Sequence, residues 1–252
     1  MSDLFIKFYD DFIFIYSLVA LFAIVELIVN RANRPPLKDV IISFVGGILL
    51  LTLGTLVLIK FRSWLPLDLI KNSWIENKIL YSLAFLFLID FFYYFYHRLQ
   101  HSNKFLWGIH KFHHSDSDMN VFTSQRSHFL EKALQVTLIV FPILLIIGKN
   151  ADANVYIKYS SVIIVMYGHM RIKISHGILT KIITGPALHR VHHSIEREEA
   201  DSNYAQFFPF IDILFGTYKA PKKNLNTTGI ESDTDSLSKI KAMLYPIIQW
   251  KK

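Results

Sequence analysis

The sequence predicts an all-α protein whose helices cross a membrane in hairpins and carry a histidine-rich helical cap. Three observations support this fold class. Hydrophobic residues make up 52% of the 252-residue chain and aromatic residues 15%, and the mean hydropathy of +0.32 is high for a water-soluble domain. Several apolar runs approach the roughly 20 residues that a membrane-spanning helix needs. All 11 histidines lie after the third of these runs.

The first three apolar runs predict membrane-spanning helices. They are residues 12–30, 40–59 and 79–96. The first two form a helical hairpin, and the linker after them carries tryptophans, which favour the headgroup region. We therefore expect an N-terminal unit, residues 1–78, that holds this hairpin and its interfacial linker. A catalytic unit, residues 79–252, follows.

Two shorter apolar runs, residues 133–147 and 155–170, are joined by the polar segment GKNADAN. They form either a shallow, tilted hairpin or two full crossings. Either way, an even number of crossings separates the early histidines from the late ones, so we expect both sets at one membrane surface. The turn after the first run contains Arg31, Arg34 and Lys38, which predicts that this surface faces the cytoplasm.

Composition excludes several classes of site. The chain has no cysteine, so it forms no disulfide, thiolate metal site or iron–sulfur cluster. The net charge is +7, which in a membrane protein suits cytoplasmic loops and anionic headgroups. We expect no nucleic-acid partner, because the basic residues form no stripe with interleaved aromatic residues.

Three histidine motifs predict a metal centre. They are HxxxH at His97 and His101, HxxHH at His110, His113 and His114, and HxxHH at His189, His192 and His193. Offsets of three and four residues place side chains on one helix face, and neutral imidazole binds Zn, Fe, Cu and Ni. Eight histidines exceed what one ion takes, so we expect two ions. His128 and His169 would raise the set to ten.

Acidic residues should accompany such a centre. Two divalent ions held only by neutral rings leave a strong positive charge, so we expect carboxylates to accept hydrogen bonds from the free ring N–H groups. The candidates are Asp90, Glu131, Asp212 and Asp116. Asp90 stands two helical turns before His97 on the same face, and an acid within a membrane span usually has a partner.

Five segments resemble one known group of enzymes. YHRLQH, HKFHHS, RSHFLE, HRVHHS and NYAQFFPFIDILFGTY are similar to the fatty acid hydroxylase/sterol desaturase superfamily of integral-membrane, non-haem di-iron enzymes. The resemblance covers residues 81–246. It implies two iron ions, with O₂ as co-substrate, that hydroxylate or desaturate a membrane lipid such as a fatty acyl chain, sterol, ether lipid or carotenoid. It also implies a separate electron donor of the cytochrome b5, ferredoxin or pterin type.

The resemblance extends to single residues. The eight motif histidines match the superfamily's ligands, and His128 and His169 match additional ligands. Its recurrent polar positions fall on Arg126, Glu131, Asn203, Tyr204 and Asp212. Three positions depart from the pattern, namely Phe129, Ala205 and Arg171, where Pro, Gly and Asn are usual.

A cavity for the lipid is expected beside these residues. Tyr94 lies on the His97 face of an aromatic run, FFYYFY, and is the member of that run that we expect to act in the site. The functional residues expected outside the ligand set are Asp90, Tyr94, Glu131, Asn203 and Asp212.

Two other functions use the same ligands. A zinc site could hydrolyse a substrate without redox chemistry, and zinc can also occupy these ligands in a purified sample. A metal-storage or transport protein is less consistent with the pattern, because the motifs stand beside helix ends rather than along a path through the membrane.

Overall fold

The computed structural model of the protein describes residues 2–30, 34–172, 174, 176–221, 227–230 and 236–244. Regular structure in these residues is helical, apart from two isolated backbone bridges. The α-helices are α1 (Ser2–Val29), α2 (Leu37–Arg62), α3 (Lys78–Ser102), α4 (Lys104–His114), α5 (Glu131–Gln135), α6 (Phe141–Ile147), α7 (Asn154–His169), α8 (Pro186–His192), α9 (Arg197–Ala200), α10 (Phe210–Leu214) and α11 (Ser236–Met243).

Within the described part of the chain, three helices are long and apolar enough to cross a membrane, as the sequence predicts. They are Phe12–Val29 within α1, all of α2 and all of α3. Much of their surface consists of exposed large apolar side chains, which is expected where lipid tails form the surroundings. The protein is therefore an integral membrane protein. The division at residue 78 into two units stays a prediction.

The third crossing continues beyond the apolar run. Helix α3 begins at the cap Asn77, whose side chain accepts the N–H groups of Ile79 and Leu80. It ends only at Asn103, whose side chain in turn caps α4. The first histidine motif thus lies in the last two turns of α3, and the second lies in the helix that begins one residue later. Asn103 is both the C-cap of α3 and the N-cap of α4, so it brings the two motifs close together.

The second hairpin reaches the opposite end of α3. Helices α5 and α6 join through a π-helical turn at Val136–Val140, just before Pro142, which has no N–H to donate. At the hairpin tip Gly148 adopts a positive φ of 75°, and its carbonyl accepts the Tyr81 hydroxyl at 2.8 Å. Tyr81 lies in the first turn of α3, so the hairpin runs the length of that helix. It is not shallow.

Helices α1 and α2 both pack against the histidine-rich cap, which includes α4 and the segments around residues 121 and 171. The Glu26 carboxylate accepts the backbone N–H groups of Val121 at 2.9 Å and Arg171 at 2.6 Å, which fixes the end of α1 to the cap. On α2, a Cβ at Gly46 would meet the Phe112 ring at 2.7 Å, so only glycine allows α4 to pack this closely. The end of α1 and the start of α2 therefore lie on the histidine side; Arg31 is outside the described residues.

Candidate metal centre

Nine histidines converge in two groups, each with its candidate ligand atoms within 4.8 Å of one another. Group one contains His97, His101, His110, His114 and His192. Group two contains His113, His169, His189 and His193. All except the partly buried His113 are buried. Residues from distant parts of the chain therefore form a compact double site.

Each HxxHH motif serves both groups. In α4 the i, i+4 pair of His110 and His114 joins group one, while His113 joins group two. The motif at α8 does the reverse, because the i, i+4 pair of His189 and His193 joins group two. A helix places residues at i and i+4 on one face and turns the residue between them aside, so each motif lies between the two groups.

Five rings are oriented by hydrogen bonds at Nδ1. Four of these Nδ1 atoms meet backbone carbonyls and one meets a carboxylate. The pairs are His97–Tyr204 at 2.8 Å, His113–Arg126 at 2.9 Å, His169–Val165 at 2.8 Å, His192–Ser202 at 2.8 Å and His101–Asp201 at 3.0 Å. A carbonyl oxygen can only accept a hydrogen bond, so Nδ1 carries the proton. Nε2 of the neutral ring then has a free lone pair.

These lone pairs point at one another. The Nε2 atoms of His113 and His169 lie 3.2 Å apart, although both rings donate from Nδ1. No proton of a neutral ring can lie between them, so the pair is repulsive without a cation. Metal–nitrogen bonds of about 2.1 Å place neighbouring ligand atoms about 3.0–3.4 Å apart. The spacing therefore fits two ligands of one ion.

Unpartnered ring nitrogens support the same conclusion. Among the described residues, Nε2 of His101, Nε2 of His192 and both ring nitrogens of His193 are buried without a hydrogen-bond partner. A buried polar atom without a partner costs about 1–3 kcal/mol, and a metal ion would satisfy one nitrogen of each of these three rings. The donor set, imidazole alone, suits iron and zinc alike.

The rings are held in the form that binds metal. Burial lowers the pKa of His113 to about 4 and that of His169 to about 3. Burial also lowers the pKa of His189, His192 and His193 well below the usual value. These rings are therefore neutral near pH 7, and the lone pairs that a metal needs are available.

Comparison with known proteins assigns the family. The family model described as fatty acid hydroxylase matches residues 82–217, more than half of the chain. The chain belongs to the fatty acid hydroxylase family. The matched segment begins near the start of α3 and contains both histidine groups.

Three relatives illustrate the similarity. The human alkylglycerol monooxygenase is 30% identical over 224 residues, which cover 84% of this chain and 48% of that protein. The ornithine lipid hydroxylase OlsE of Rhizobium tropici is 30% identical over 142 residues, 56% of this chain and 43% of that protein. The rat lathosterol oxidase is 29% identical over 152 residues, 60% of this chain and 48% of that protein.

This member of the fatty acid hydroxylase family thus spans about half the length of the curated relatives it matches. No solved structure matches the chain.

The four acids expected to face the rings bind other groups. Asp90 accepts the backbone N–H groups of residues 206–208 at 2.6–3.0 Å, and Asp212 accepts those of residues 204 and 205. Glu131 accepts from Gln100 and Gln135, and Asp116 pairs with Arg126. The expected acid-to-ring contacts are therefore replaced by backbone carbonyls and Asp201.

Asp90 and Asp212 fix one loop. Between them they hold the backbone of residues 204–208, whose Tyr204 carbonyl orients His97. Asn203 stands at a positive φ of 52°, which asparagine tolerates. Its side chain exchanges two hydrogen bonds of 2.9 Å with the backbone of Lys219. These three residues hold the loop whose carbonyl groups accept hydrogen bonds from the histidine rings. They therefore support the rings without touching them.

Asp201 is the hydrogen-bond acceptor of a motif histidine that sequence reasoning missed. It binds His101 at 3.0 Å and Arg197 at 2.6 Å. In the sequence it only ends an acidic patch, and no spacing links it to the first histidine motif. The contact arises because the loop after α8 folds back over the end of α3.

A cavity of about 160 Å³ opens beside both groups, with His97 and His110 of group one and His113, His169 and His189 of group two in its wall. Its lining includes Tyr93, His128 and Glu131, and Leu50 extends it to the middle of α2. Tyr94, in contrast, is fully buried behind the rings, with its hydroxyl 3.1 Å from Thr217. The structure therefore places Tyr93, rather than Tyr94, at the cavity wall.

His128 is buried but belongs to neither group. Its Nδ1 accepts the Leu130 N–H at 3.2 Å, and it lines the cavity beside His113 and His169. Nine of the ten expected ligands are thus assembled in the two groups. The tenth stands in the adjoining wall.

Proposed function

We propose that this protein uses O₂ to oxidise an unactivated C–H bond of a membrane lipid, by hydroxylation or desaturation, at two iron ions. The opposed lone pairs of His113 and His169 carry the proposal, because only a cation makes this buried arrangement favourable. Membership of the fatty acid hydroxylase family supports redox chemistry over hydrolysis at such a centre.

The histidines would hold the two ions as follows. Group one supplies five imidazoles to one ion, group two supplies four to the other, and His128 is the proposed additional ligand beside group two. Iron in such a nitrogen environment supplies the capacity to react with O₂. The protein's own part is to fix the rings through Nδ1, exclude water from them and place the substrate against their open side.

The cavity supports a lipid substrate. It begins at His110 and His113 and extends to Leu50, which lies midway along a membrane-spanning helix. A lipid tail can enter from the bilayer at that depth while its polar end stays near the surface. The relatives are named for an alkylglycerol, an ornithine lipid and lathosterol, all of them membrane amphiphiles. We propose a substrate of the same kind.

The proposed orientation places the metal centre at the cytoplasmic surface. Arg98, Lys104 and Lys111 lie near the histidine end of α3 in the chain, and Lys38 in the first turn of α2 lies on the same side. Such positive charge favours the cytoplasmic face. A separate, reduced electron carrier would supply the electrons from that side.

The test uses purified protein in lipid vesicles, loaded with ferrous iron without oxygen. Alkylglycerol, ornithine lipid and lathosterol are supplied in parallel with a chemical reductant, and heavy-isotope O₂ is then admitted. Gain of labelled oxygen or loss of two hydrogens in a lipid supports the proposal. Turnover without O₂ would point to a hydrolytic zinc site instead. The variant His192→Ala, which removes one ligand of group one, is the control.

A further inference from the structure

A second apolar surface lies outside the crossing helices. The neighbouring segments 177–183 and 210–214 each expose large apolar side chains, and the two sets together are here called the apolar shelf. Its members are Ile178, Leu179, Ile182, Ile183, Phe210, Ile213 and Leu214. Ile178 is 77% exposed and Leu214 is 72% exposed, so neither is covered by the rest of the protein. Isolated exposed leucines are ordinary, but a contiguous apolar patch marks an interaction surface.

The apolar shelf carries almost no charge on its surface. Its two charged residues are Lys181 and Asp212. Asp212 is fully buried and accepts hydrogen bonds from the loop backbone and from the Thr217 hydroxyl. Lys181 is exposed and has a stem long enough to carry its ammonium group towards water. A surface built for contact with water would place charges between the apolar residues.

The position of α10 shows what surrounds the shelf. The Phe210 ring stacks on Phe87 of α3, with centroids 6.2 Å apart and planes at 11°. Phe87 stands nine residues into a 25-residue helix, about 14 Å along a span of about 37 Å. It is 41% exposed on the outer face of that helix. Helix α10 therefore lies against the outer face of a membrane-spanning helix, near its middle.

Three contacts hold this position. Phe215, just after α10, packs against Phe91 and Phe95 of α3. Asp90 accepts the backbone N–H groups immediately before α10. The other half of the shelf is tied to the same body, because the Thr184 N–H donates to the Phe207 carbonyl at 3.0 Å. The apolar shelf is thus a fixed part of the fold.

Its backbone is suited to hydrocarbon. The N–H groups of Ile211, Ile213, Phe215 and Gly216 all donate to carbonyls within residues 208–213. In the other segment those of Leu179, Ile182 and Ile183 donate to carbonyls of residues 176 and 179. Lipid tails offer no hydrogen bonds, so backbone in contact with them must be satisfied internally.

We propose that the apolar shelf is embedded in the hydrocarbon of the bilayer as a re-entrant surface beside α3. The chain enters the membrane at residues 177–183 and 207–215 without crossing it. The occupant is lipid, because the shelf is continuous through Phe210 and Phe87 with the lipid-facing side of a crossing helix. This inference concerns the membrane boundary alone and stands independently of the proposed reaction.

The absence of native cysteine makes a direct test possible. The single-cysteine variants Ile178→Cys and Leu214→Cys are spin-labelled and reconstituted in phosphatidylcholine vesicles. Collision rates of each label with O₂, which concentrates in hydrocarbon, and with a water-soluble nickel chelate are then measured. Leu56→Cys on α2, at a position 63% exposed, provides the lipid-facing reference. Glu198→Cys, at an exposed position on the cap, provides the aqueous reference.

The expected O₂-to-nickel ratio at both shelf labels is close to that at Leu56→Cys and about tenfold or more above that at Glu198→Cys, because the polar reagent is excluded from hydrocarbon. Ratios equal to that at Glu198→Cys would overturn the proposal. A second copy of the chain on the shelf would also overturn it, and would appear as spin–spin broadening with low collision rates for both reagents. Metal content equal to that of the unmodified protein verifies that each variant is folded.

Discussion

The Nζ atom of Lys239 lies 2.7 Å from Oδ1 of Asp39, although 200 positions separate the two residues. Arg126 binds the same carboxylate and that of Asp116, each at 3.2 Å. The four groups balance in charge, and each is at most 3% exposed. The Arg126 carbonyl also orients His113, so helix α11 is linked through this cluster to group two.

The substitution Lys239→Met should destabilise the protein strongly. It leaves a buried negative charge on Asp39, and removing one partner of a buried ion pair costs about 3–5 kcal/mol. The melting temperature of detergent-solubilised protein measures the loss. The double variant Lys239→Met/Asp39→Asn removes both charges and should recover most of the stability. Lys241→Met, an exposed site on the same helix, should have no effect; an equal loss there would contradict the assignment.

Replacing His113→Ala should lower the metal content from about two ions per chain to about one, and abolish lipid oxidation. The variant removes one of the four rings in group two, so the remaining rings hold that ion much more weakly and it is lost during purification. Elemental analysis after iron loading measures the stoichiometry. His176→Ala is the matched control, because His176 bonds to the Tyr167 hydroxyl and belongs to neither group. Full metal content in His113→Ala would exclude that ring as a ligand.

Replacing Asp90→Asn should weaken metal affinity or activity by roughly 10–100-fold, the usual effect of losing a group that supports a ligand. The amide presents an N–H group where the carboxylate accepted three backbone N–H groups, so the 204–208 loop shifts and with it the carbonyl acceptor of His97. Competition with a chromogenic chelator measures the affinity. Asp152→Asn, on the exposed hairpin tip, should match the unmodified protein. An unchanged affinity in Asp90→Asn would limit that residue to helix packing.

Stability should fall as pH rises through the range in which Glu131 ionises. Burial raises the pKa of Glu131 from 4.5 to about 7, so between these values the unfolded chain is ionised there and the folded chain is not. The contribution is fully present below pH 4.5 and is lost by about pH 7, on the order of 3 kcal/mol. In Glu131→Gln this dependence should vanish. The difference between the two proteins' melting temperatures at several pH values measures it, and a constant difference would refute the assignment.

Most of the histidines in the metal centre could be predicted from the sequence. Spacing alone indicated that each histidine motif presents one helix face, and the apolar runs indicated three crossings and a second hairpin. Sequence spacing cannot show which ring joins which ion, because that depends on the angle at which α4 and α8 meet. The position of α4 depends in turn on contacts with α2 such as Phe112 on Gly46, between residues far apart in the chain.

The supporting residues were harder to predict because they act through the backbone. The sequence indicates Asp90 by its place in an apolar helix and Asp212 by the family resemblance, but their partners are loop N–H groups rather than rings. Almost every residue type has a backbone N–H group, so no sequence pattern identifies which N–H groups will be the partners. The Asp201 contact depended on loop geometry in the same way. Tyr93 and Tyr94 are adjacent in the sequence, and the packing of Tyr94 against Tyr204 and Phe215 leaves Tyr93 to line the cavity.

Four of the five oriented imidazoles depend on main-chain oxygen, and this has an evolutionary consequence. A peptide carbonyl is present whatever side chain its residue bears. Mutation around the rings can therefore reshape the space available to a lipid while the hydrogen bonds that orient the histidines are kept. A scaffold of this kind can diversify its substrates while its inorganic core stays constant.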